Sequence, residues 1–546
     1  MHPVLLIGWD GASFDLIRPW VAQGKLPTLR KLMEEGVHSS LLSTIPPWSF
    51  QAWTSFMTGK NPGKHGVYDF FRTPVGTYDL EFVNANQRRG GPTVWQLLSE
   101  AGRRVVSISI PGTFPPEPVN GVMISGFDFP GEGPGSHVDA KGMYPPELCE
   151  ELQSAVGRYP IDPPILKEME QGHYDVALKR IIDTVREQAA AAKYLIRQRP
   201  WDCFMMVFGE SDGAAHYFWQ FCDPRSPFFV PESNGLQDSL LQVYEELDRQ
   251  LAELLSLTPP STNVIVLSDH GCGGVSDWVL FPNVWLKEKG VLDFRGAASR
   301  RLSRLREAAK HWGVKSLPTF AQRLLYRNAV RALGRFESRV RYGILDWSRT
   351  EAYFDENPYH PVLRVNVRGR EPRGIVEPGA SYERLRDRLI EELEGWRHPH
   401  TGERVVEKAY RREEVYCGPF LEEAADIIPK WALCQGNNYG FRLSSKAPPA
   451  GWTARIDGPT SPYCPRKFCS HRDNAILVAR GPAFRSGHLC DNDGDECPDP
   501  RIVDLAPTIL TLLGLPVPED MDGRVLNELF AEERLTDAAV PSRRTA

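Results

Sequence analysis

The sequence lacks the features that direct a chain into a membrane or onto a nucleic acid. No basic region followed by an apolar one opens the chain, and the first apolar run, Val4 to Trp9, has only strand length before it meets Asp10. No later run is long and apolar enough to span a bilayer. The net charge of −6 gives no overall attraction to nucleic acid or anionic lipid. We therefore expect a soluble, cytoplasmic protein without a transmembrane segment and without a specific nucleic-acid partner.

Cysteine is also sparse, with ten residues in a chain of 546. Without a secretion signal these thiols are expected to be mostly reduced. Four of them fall in one C-terminal stretch, namely Cys464, Cys469, Cys490 and Cys497. Their spacing matches no compact zinc-binding pattern, which favours buried or loop thiols over a structural zinc site or a disulfide.

Helical and strand-like segments alternate along most of the chain. Continuous apolar runs, typical of parallel strands buried on both faces, occur at 4–8, 104–110, 203–208, 263–267 and 475–478. Segments with helical spacing occur at 16–33, 93–101, 176–196, 240–255 and 504–513. This alternation predicts an α/β fold with a doubly wound, mostly parallel central sheet flanked by helices.

The middle of the chain has a different composition. Residues Arg295 to Arg341 are rich in arginine and lysine and hold only two acidic residues, Glu307 and Glu337. We predict an inserted cap with basic helices at 285–440, between a catalytic domain at 1–284 and its C-terminal part at 441–537, with a flexible tail at 538–546. The basic helices are more typical of a solvated face than of a surface for membrane, RNA or an acidic partner.

Acidic and imidazole side chains stand at the predicted strand ends. Ligands of parallel sheets bind beyond the carboxyl ends of the strands, so these positions are candidates for a site. The set comprises Asp10, Asp212, His216, Asp269, His270 and His471. Asp212 and His216 are four residues apart and would share one face of a helix. Carboxylate oxygen and imidazole nitrogen suit Zn²⁺ and also Mn²⁺, so the set predicts a metal centre.

A serine stands at the predicted start of a helix. Pro46 and Pro47 enforce an extended entry, and Gly59 ends the helical run that follows Ser49. Free N–H groups at a helix N-terminus suit phosphate oxygens. The segment alone leaves two readings open, a capping serine and a nucleophile.

Several motifs occur together in a fixed order. They are Gly8-Trp9-Asp10-Gly11, Ser49 nine residues before Thr58-Gly59, Pro62 with His65-Gly66, Asp212 with His216, Asp269-His270-Gly271, Ser470-His471, and Asp504 to Leu510 with Gly514-Leu515-Pro516. In this order they resemble the type I phosphodiesterase/nucleotide pyrophosphatase branch of the alkaline phosphatase superfamily. The chain is most similar to the intracellular group described as predicted phosphohydrolases or phosphomutases.

The resemblance implies a centre with two divalent metal ions, zinc or manganese. One ion would be held by Asp212, His216 and His471, and the other by Asp10, Asp269, His270 and the Ser49 oxygen. Ser49 would attack phosphorus and form a phosphoseryl-type intermediate that water cleaves.

Departures from the family pattern bear on the substrate. Phe50 stands where the monoesterase branch has arginine, Tyr68 to Phe71 lacks the asparagine of nucleotide pyrophosphatases, and the sulfatase signature is absent. A diester or a bulky phosphoester of small-molecule type is therefore favoured. Phe50, Lys64, Asn366, Arg368 and Arg370 are candidates for contacting the substrate, the last three as alternating residues of a strand-like segment in the cap.

The sequence thus predicts a metal-dependent phosphohydrolase. The alternatives are a phosphomutase or phosphotransferase that uses the same site and, less favoured, a non-catalytic metal-stabilised binding protein. The oligomeric state is not indicated.

Overall fold

A computed structural model describes residues 2–127, 137–163, 165–233, 235–296, 298–299, 301–307, 330–449, 451–458, 461–465, 467–489 and 499–531. Its strands are β1 (Val4–Trp9), β2 (Val37–Leu42), β3 (Phe71–Arg72), β4 (Glu81–Phe82), β5 (Val105–Ile108), β6 (Gly121–Ile124), β7 (Met143–Tyr144), β8 (Cys203–Phe208), β9 (Asn263–Leu267), β10 (Gly271–Leu280), β11 (Ala352–Phe354), β12 (Leu363–Val365), β13 (Val406–Arg411), β14 (Ile427–Trp431), β15 (Leu433–Cys434), β16 (Asn437–Phe441), β17 (Thr453–Arg455), β18 (Cys469–Arg472), β19 (Asn474–Arg480) and β20 (Gly487–His488).

The α-helices with fully described bounds lie mostly between these strands. They are α1 (Phe14–Ala22), α2 (Pro27–Glu35), α3 (Ser49–Thr58), α4 (Pro62–His65), α5 (Val94–Glu100), α6 (Leu148–Ala155), α7 (Leu166–Glu170), α8 (Tyr174–Gln198), α9 (Glu210–Cys222), α10 (Ser239–Ser256), α11 (Pro282–Glu288), α12 (Val330–Tyr342), α13 (Ala380–Glu394), α14 (Arg412–Val415) and α15 (Leu505–Leu512). The helical pattern at 16–33 proves to be two helices, because Gly24, with φ +72, follows the end of α1 and Pro27 begins α2.

A nine-stranded sheet forms the centre of the molecule. Its order is β20-β2-β19-β9-β1-β8-β5-β6-β7. The strands from β9 to β6 run parallel, whereas β19 is antiparallel to both of its neighbours and β7 is antiparallel to β6. The predicted doubly wound α/β fold is therefore confirmed.

Helices cover both faces of this sheet. Alternate side chains of β1 pack into two separate hydrophobic clusters, with Leu5 and Ile7 in one and Val4 and Leu6 in the other. The first cluster includes helices α8, α9 and α10, and the second includes α3, α5 and α15. Both faces of the strand are buried, which explains its continuous apolar run.

A smaller four-stranded sheet, β11-β12-β14-β13, forms the core of the predicted cap. Helix α13 packs on it, and Leu389 and Leu393 are fully buried in its hydrophobic cluster. The same cluster includes Leu280, the last residue of β10, so this sheet packs against the end of the predicted first segment, 1–284. Residues 308–329 of the basic stretch lie outside the described residues, as do the tail at 538–546, Cys490 and Cys497.

Among the residues described, no helix has the length and apolar character needed to cross a bilayer. Cys464 and Cys469 are present as free thiols.

Candidate metal centre

Two carboxylates meet at the ends of neighbouring strands. Asp10 follows β1 and Asp269 follows β9, and these parallel strands pair in register up to Gly8 and Leu267. Both aspartates are buried. The Gly11 N–H donates to Asp269 Oδ1 at 3.2 Å, so the turn after one strand holds the carboxylate of the other.

Helix α9 adds a third carboxylate and an imidazole. It begins directly after β8, the other neighbour of β1, and its first turn carries Asp212. His216 lies one turn later, with Nε2 at 3.3 Å from Asp212 Oδ2. Gly11 has φ +66, and a Cβ there would come within 3.0 Å of the Asp212 side chain. The close approach of the two loops therefore requires glycine at this position.

The last two imidazoles come together through an antiparallel pair of strands. His270 precedes β10, which pairs with β18 so that Cys272 faces His471. The rings of His270 and His471 stack at 3.8 Å between centroids. All six predicted ligand residues are thereby gathered in one place, from positions spread between residues 10 and 471 of the chain.

Backbone carbonyl groups fix the orientation of all three imidazoles. Nδ1 of His216 lies 2.9 Å from the carbonyl oxygen of Cys469. Nδ1 of His270 lies 2.9 Å from the carbonyl oxygen of Gly271, and Nδ1 of His471 lies 3.1 Å from the carbonyl oxygen of Pro47. Each Nδ1–H therefore donates to a carbonyl, and each Nε2 presents its lone pair to the centre. Histidine ligands of metals are commonly oriented in this way.

The spacing of the facing atoms fits metal coordination. Nε2 of His216 and Nε2 of His471 are 3.4 Å apart. Two such lone pairs repel each other unless a cation lies between them. His270 Nε2 is 3.6 Å from Asp10 Oδ1 and 3.5 Å from Asp269 Oδ2. A tetrahedral ion with bonds of about 2.0–2.1 Å sets its ligand atoms roughly 3.3–3.4 Å apart, close to these values.

Two overlapping groups of ligand atoms result. Asp10, Asp269 and His270 form one group, and Asp212, His270 and His471 form the other, with all atoms of a group within 4.8 Å of one another. Asp212 Oδ1 and Asp269 Oδ2 are buried without a hydrogen-bond partner. Buried carboxylate oxygens in this state are costly unless a cation compensates them, so the donor set fits divalent metal ions.

The pKa values reflect this concentration of charge. Burial and the neighbouring Asp269 hold the pKa of Asp10 well above its usual range, and burial raises the pKa of Asp269 to about 7. Burial lowers the pKa of His216, and burial together with His270 lowers that of His471 further. Neutral imidazoles are the form that binds metal.

Ser49 lies at the edge of this centre. It is the first residue of α3, and its Oγ is 3.2 Å from His270 Nε2. The sequence placed Ser49 at the N-cap, but Trp48 occupies that position without a side-chain cap. Ser49 is therefore not a capping serine. One turn later, Trp53 Nε1–H donates to Asp10 Oδ2 at 2.9 Å and links the helix to the carboxylate.

Two of the predicted substrate contacts lie close to Ser49 in sequence but differ in surroundings. Phe50 is buried against Phe70 and Phe127, and the Phe127 side chain is 39% exposed, so this aromatic cluster reaches the surface. Lys64 donates to the Asp520 carbonyl oxygen at 2.8 Å and pairs with Asp522 at 2.6 Å. Its charge is thus balanced by the C-terminal segment.

The prediction that Asn366, Arg368 and Arg370 alternate along a strand of the cap is wrong. Strand β12 ends at Val365, so Asn366, Arg368 and Arg370 do not alternate on one strand face. Asn366 is fully buried and donates to the Thr350 and Arg373 carbonyl oxygens.

The two arginines of this segment have partners within the cap. Arg368 pairs with Glu377 at 2.5 Å. Arg370 forms a bidentate pair with Asp426, with both N–O distances 2.7 Å. Asn366 and Arg370 stabilise the cap, and partners distant in sequence account for their polar character.

Three residues near the centre were not predicted. Tyr359 and His360 belong to the segment between β11 and β12, and the Trp48 ring makes edge contacts with both at 5.5 and 5.8 Å. Lys467 precedes β18 and has its Nζ 5.6 Å from the centre of the Tyr359 ring. Periodicity does not show which residues of the cap approach the central sheet, so Tyr359 and His360 had no signal in the sequence. For Lys467 the signal was its position four residues before His471.

A family model and several solved structures match this chain. A family model described as type I phosphodiesterase/nucleotide pyrophosphatase matches residues 4–453. No curated protein matches the chain in sequence.

Solved structures share the fold at low sequence identity. Phosphonoacetate hydrolase from Sinorhizobium meliloti 1021, in complex with phosphonoacetate, is 15% identical over 93% of this chain and 95% of its own, with a TM-score of 0.51. Human ectonucleotide pyrophosphatase/phosphodiesterase 5 is 12% identical over 97% of this chain and 100% of its own, with a TM-score of 0.49.

Proposed function

Because the chain belongs to the type I phosphodiesterase/nucleotide pyrophosphatase family and is therefore an enzyme of the phosphoester-hydrolase class, we propose that it cleaves its substrate by attack of Ser49 on phosphorus at a two-metal centre. The observation that carries the proposal is the position of Ser49 Oγ, 3.2 Å from His270 Nε2, in a cluster of three carboxylates and three imidazoles that are all buried except the half-buried Asp212.

Two sets of side chains would hold the metal ions. Asp212, His216 and His471 would bind one ion, and Asp10, Asp269 and His270 with the Ser49 oxygen would bind the other. Zinc is favoured because three imidazoles and three carboxylates at tetrahedral spacing suit it, and manganese is the alternative. When bound, such ions neutralise charge on phosphoryl oxygens and lower the pKa of a coordinated hydroxyl group toward neutral values.

The protein side chains set the geometry of the reaction. The Ser49 Oγ–P bond forms while the ester bond to the leaving oxygen breaks. Ser49 releases its proton to solvent, and the leaving oxygen gains a proton from solvent. Water then cleaves the seryl ester, and Ser49 recovers its proton. Trp53 holds Asp10 in position throughout through its 2.9 Å hydrogen bond. The burial of Ser49, 4% exposed, limits the access of bulk water to the nucleophile.

The surroundings of Ser49 favour a diester or a bulky phosphoester. Phe50 follows Ser49 directly, at the position where a cationic side chain would be needed to bind the further oxygens of a phosphate monoester. The aromatic cluster that Phe50 forms with Phe70 and Phe127 suits an organic substituent on the phosphate instead. A phosphomutase or phosphotransferase would use the same seryl ester, with an alcohol in place of water as the acceptor. The cap built on β11 to β14 would then decide which acceptor enters.

The test is turnover of bis-p-nitrophenyl phosphate and p-nitrophenyl phosphate by the zinc- and manganese-loaded protein. We expect the diester to be preferred. Ser49→Ala should lose at least about a thousandfold in kcat, whereas Ser49→Thr, which keeps the hydroxyl, should retain measurable turnover. Full turnover by Ser49→Ala would refute the nucleophile. Product analysis with added alcohols separates hydrolysis from transfer, and metal analysis of the purified protein measures the number and identity of the ions.

A further inference from the structure

A turn of the cap covers one side of the candidate metal centre. It comprises residues 355–362, between β11 and β12. The Tyr359 ring stacks on the His471 ring with 5.6 Å between centroids and an angle of 12°, and it lies 5.8 Å from the His216 ring. The His360 ring is 6.4 Å from that of His471. The position of this turn therefore affects the side chains of two candidate ligands.

Trp48 lies between this turn and the candidate nucleophile. It directly precedes the serine and is 3% exposed. Its ring makes edge contacts with three rings of the turn and the centre, at 5.5 Å for Tyr359, 5.8 Å for His360 and 5.7 Å for His471. The preceding carbonyl group, that of Pro47, is the one that orients His471. A displacement of Trp48 would therefore move both the start of helix α3 and the imidazole of His471.

Side-chain hydrogen bonds give the turn its shape. Asp355 Oδ1 accepts the N–H groups of Asn357 and Val362, each at 3.2 Å. Asn357 Oδ1 accepts the N–H groups of Tyr359 at 2.9 Å and of His360 at 3.3 Å. Asparagine and aspartate shape turns in this way because their short side chains reach the backbone N–H groups that follow. One amide oxygen thus fixes the backbone of both residues that approach the centre.

The same amide joins the turn to the segment that follows α4. Asn357 Nδ2 donates to Asp69 Oδ2 at 3.0 Å, and Asp69 Oδ1 accepts the Phe70 N–H at 2.6 Å. The Phe70 ring also packs against Trp48, with 5.4 Å between centroids. Asn357 is buried, and its amide accepts and donates at once, which neither an ionised carboxylate nor a hydrocarbon can do. It therefore connects two of the segments whose rings surround Trp48.

We propose that Asn357 is a positioning residue: by fixing the cap turn against Trp48, it holds Ser49 and His471 in the geometry that the reaction requires. The expected effect on turnover rests on the proposed function, whereas the coupling between the turn and Trp48 does not. The cap would then contribute to the reaction through its seating on the centre.

Hydrogen exchange in the metal-free, full-length protein tests this coupling without turnover. Asn357→Ala removes the acceptor of the Tyr359 and His360 N–H groups, so the peptide that covers 355–362 should exchange at least about tenfold faster. The Trp48 N–H, which donates to the Pro46 carbonyl oxygen at 3.0 Å, should also exchange faster. Mass spectrometry of peptic peptides measures both rates.

Asn366→Ala is the matched control. Asn366 is also a buried asparagine of the cap, and it donates to the Thr350 and Arg373 carbonyl oxygens at 2.8 and 3.0 Å, outside this turn. Its substitution should lower the Tm but leave the exchange of the Trp48 N–H unchanged. Circular dichroism verifies that each variant is folded. If Asn357→Ala does not fold, Asn357→Ser, which keeps one oxygen acceptor, takes its place.

Zinc binding and kinetics extend the test to the centre. Calorimetric titration should show a zinc affinity about tenfold lower in Asn357→Ala, because groups that orient metal ligands have effects of this size. With bis-p-nitrophenyl phosphate the loss should fall on kcat rather than on KM, because the positions of the reacting groups change and substrate binding does not. The double variant Asp69→Asn/Asn357→Asp exchanges the donor and the acceptor of the 3.0 Å hydrogen bond and keeps an oxygen acceptor for the turn. It should restore most of the zinc affinity and of kcat.

Three results would overturn the positioning role. They are unchanged exchange and zinc affinity in Asn357→Ala, an equal change of both in Asn366→Ala, and a double variant as impaired as Asn357→Ala. If bis-p-nitrophenyl phosphate is not hydrolysed but the differences in exchange and zinc affinity are found, the proposed reaction fails and the coupling of the cap turn to the centre stands.

Discussion

A tryptophan hydrogen bond connects helix α3 to the candidate metal centre. Trp53 Nε1–H donates to Asp10 Oδ2 at 2.9 Å, and the indole is fully buried. Groups that orient metal ligands in this way typically account for a tenfold to hundredfold effect on metal affinity. We expect Trp53→Phe to lower the apparent affinity for zinc at least about tenfold, measured as activity against free zinc in a metal buffer.

Trp95 offers the matched control for this substitution. Its Nε1–H donates to Glu117 Oε2 at 2.5 Å in a region that contributes no candidate ligand. Trp95→Phe therefore removes the same kind of indole–carboxylate bond, and we expect it to leave the zinc dependence unchanged. Equal zinc affinity of Trp53→Phe and the unmodified protein would show that Asp10 needs no such support.

The ligand residue types were predictable from sequence, whereas the groups that orient them were not. Asp212 and His216 follow from a helical interval, and Asp269 with His270 from a strand end. The carbonyl groups of Pro47 and Cys469 that orient two of the imidazoles carry no sequence signal. Any residue has a carbonyl group, so only the folded backbone reveals which one is used.

At the scale of elements, the cap sheet depends on a buried carboxylate. Asp426 precedes β14 and is fully buried. It accepts two bonds from Arg370 and one from the Tyr382 hydroxyl, each 2.7 Å, and one from the Val365 N–H at 2.7 Å. This carboxylate therefore joins β12, β14 and the start of α13.

Asp426→Asn should destabilise the cap by about 2 kcal/mol, because it removes the buried carboxylate that pairs with Arg370 and Arg412 and leaves Arg370 with Glu371 as its remaining carboxylate partner among the residues described. Urea denaturation, monitored by tryptophan fluorescence, measures the change in the free energy of unfolding. Asp387→Asn, which removes an exposed partner of Arg411, is the control and should have no measurable effect.

The same carboxylate predicts a pH dependence. Burial raises the pKa of Asp426, but the bonds from Arg370 outweigh burial, and the resulting pKa lies below the usual range. A lowered carboxyl pKa contributes stability that is full above the pKa of the unfolded chain, about 3.9, and is lost as the pH falls. The difference between the unmodified protein and Asp426→Asn should therefore shrink below about pH 4. A difference that stays constant down to pH 3 would contradict this account.

The buried strands and their helices were predictable because their pattern is local. The apolar runs of β1, β8 and β9 and the helices α8 and α10 match the predicted segments closely. The segment after β12 was not predictable, because Asn366 and Arg370 have polar side chains for reasons that lie elsewhere in the chain. Tyr78 donates to Asn366 Oδ1 at 2.7 Å across 288 positions. Periodicity alone cannot distinguish such a residue from one that faces a substrate.

On the scale of the whole molecule, the centre joins segments that the chain keeps far apart. The candidate ligand residues come from the ends of β1, β8 and β9 and from β18, while Ser49 comes from a helix on the opposite face of the sheet from α9. Parallel strands bring their carboxyl ends to one edge, which is why separate sequence motifs converge there. Metal ions at this point would link both layers of the molecule.

Removal of the metal ions should therefore lower the stability of the whole protein in a pH-dependent way. In the metal-free protein, burial raises the pKa of Asp269 to about 7 and that of Asp10 well above the usual range. A raised carboxyl pKa means that the folded chain binds protons more tightly than the unfolded chain does. The associated stability is full below about pH 3.9 and is lost as the pH rises through the folded pKa.

The EDTA-treated protein should consequently have a lower Tm at pH 8 than at pH 6, and the gap between metal-loaded and metal-free protein should widen over the same interval. Asp269→Asn removes one of the titrating carboxyls, so its metal-free Tm should fall less between the two pH values. Differential scanning calorimetry of both proteins, each with and without zinc, measures the four differences in Tm between pH 6 and pH 8. A metal-free Tm that falls equally in both proteins would show that Asp269 remains ionised without a cation, and the electrostatic case for a metal at this carboxylate would be lost.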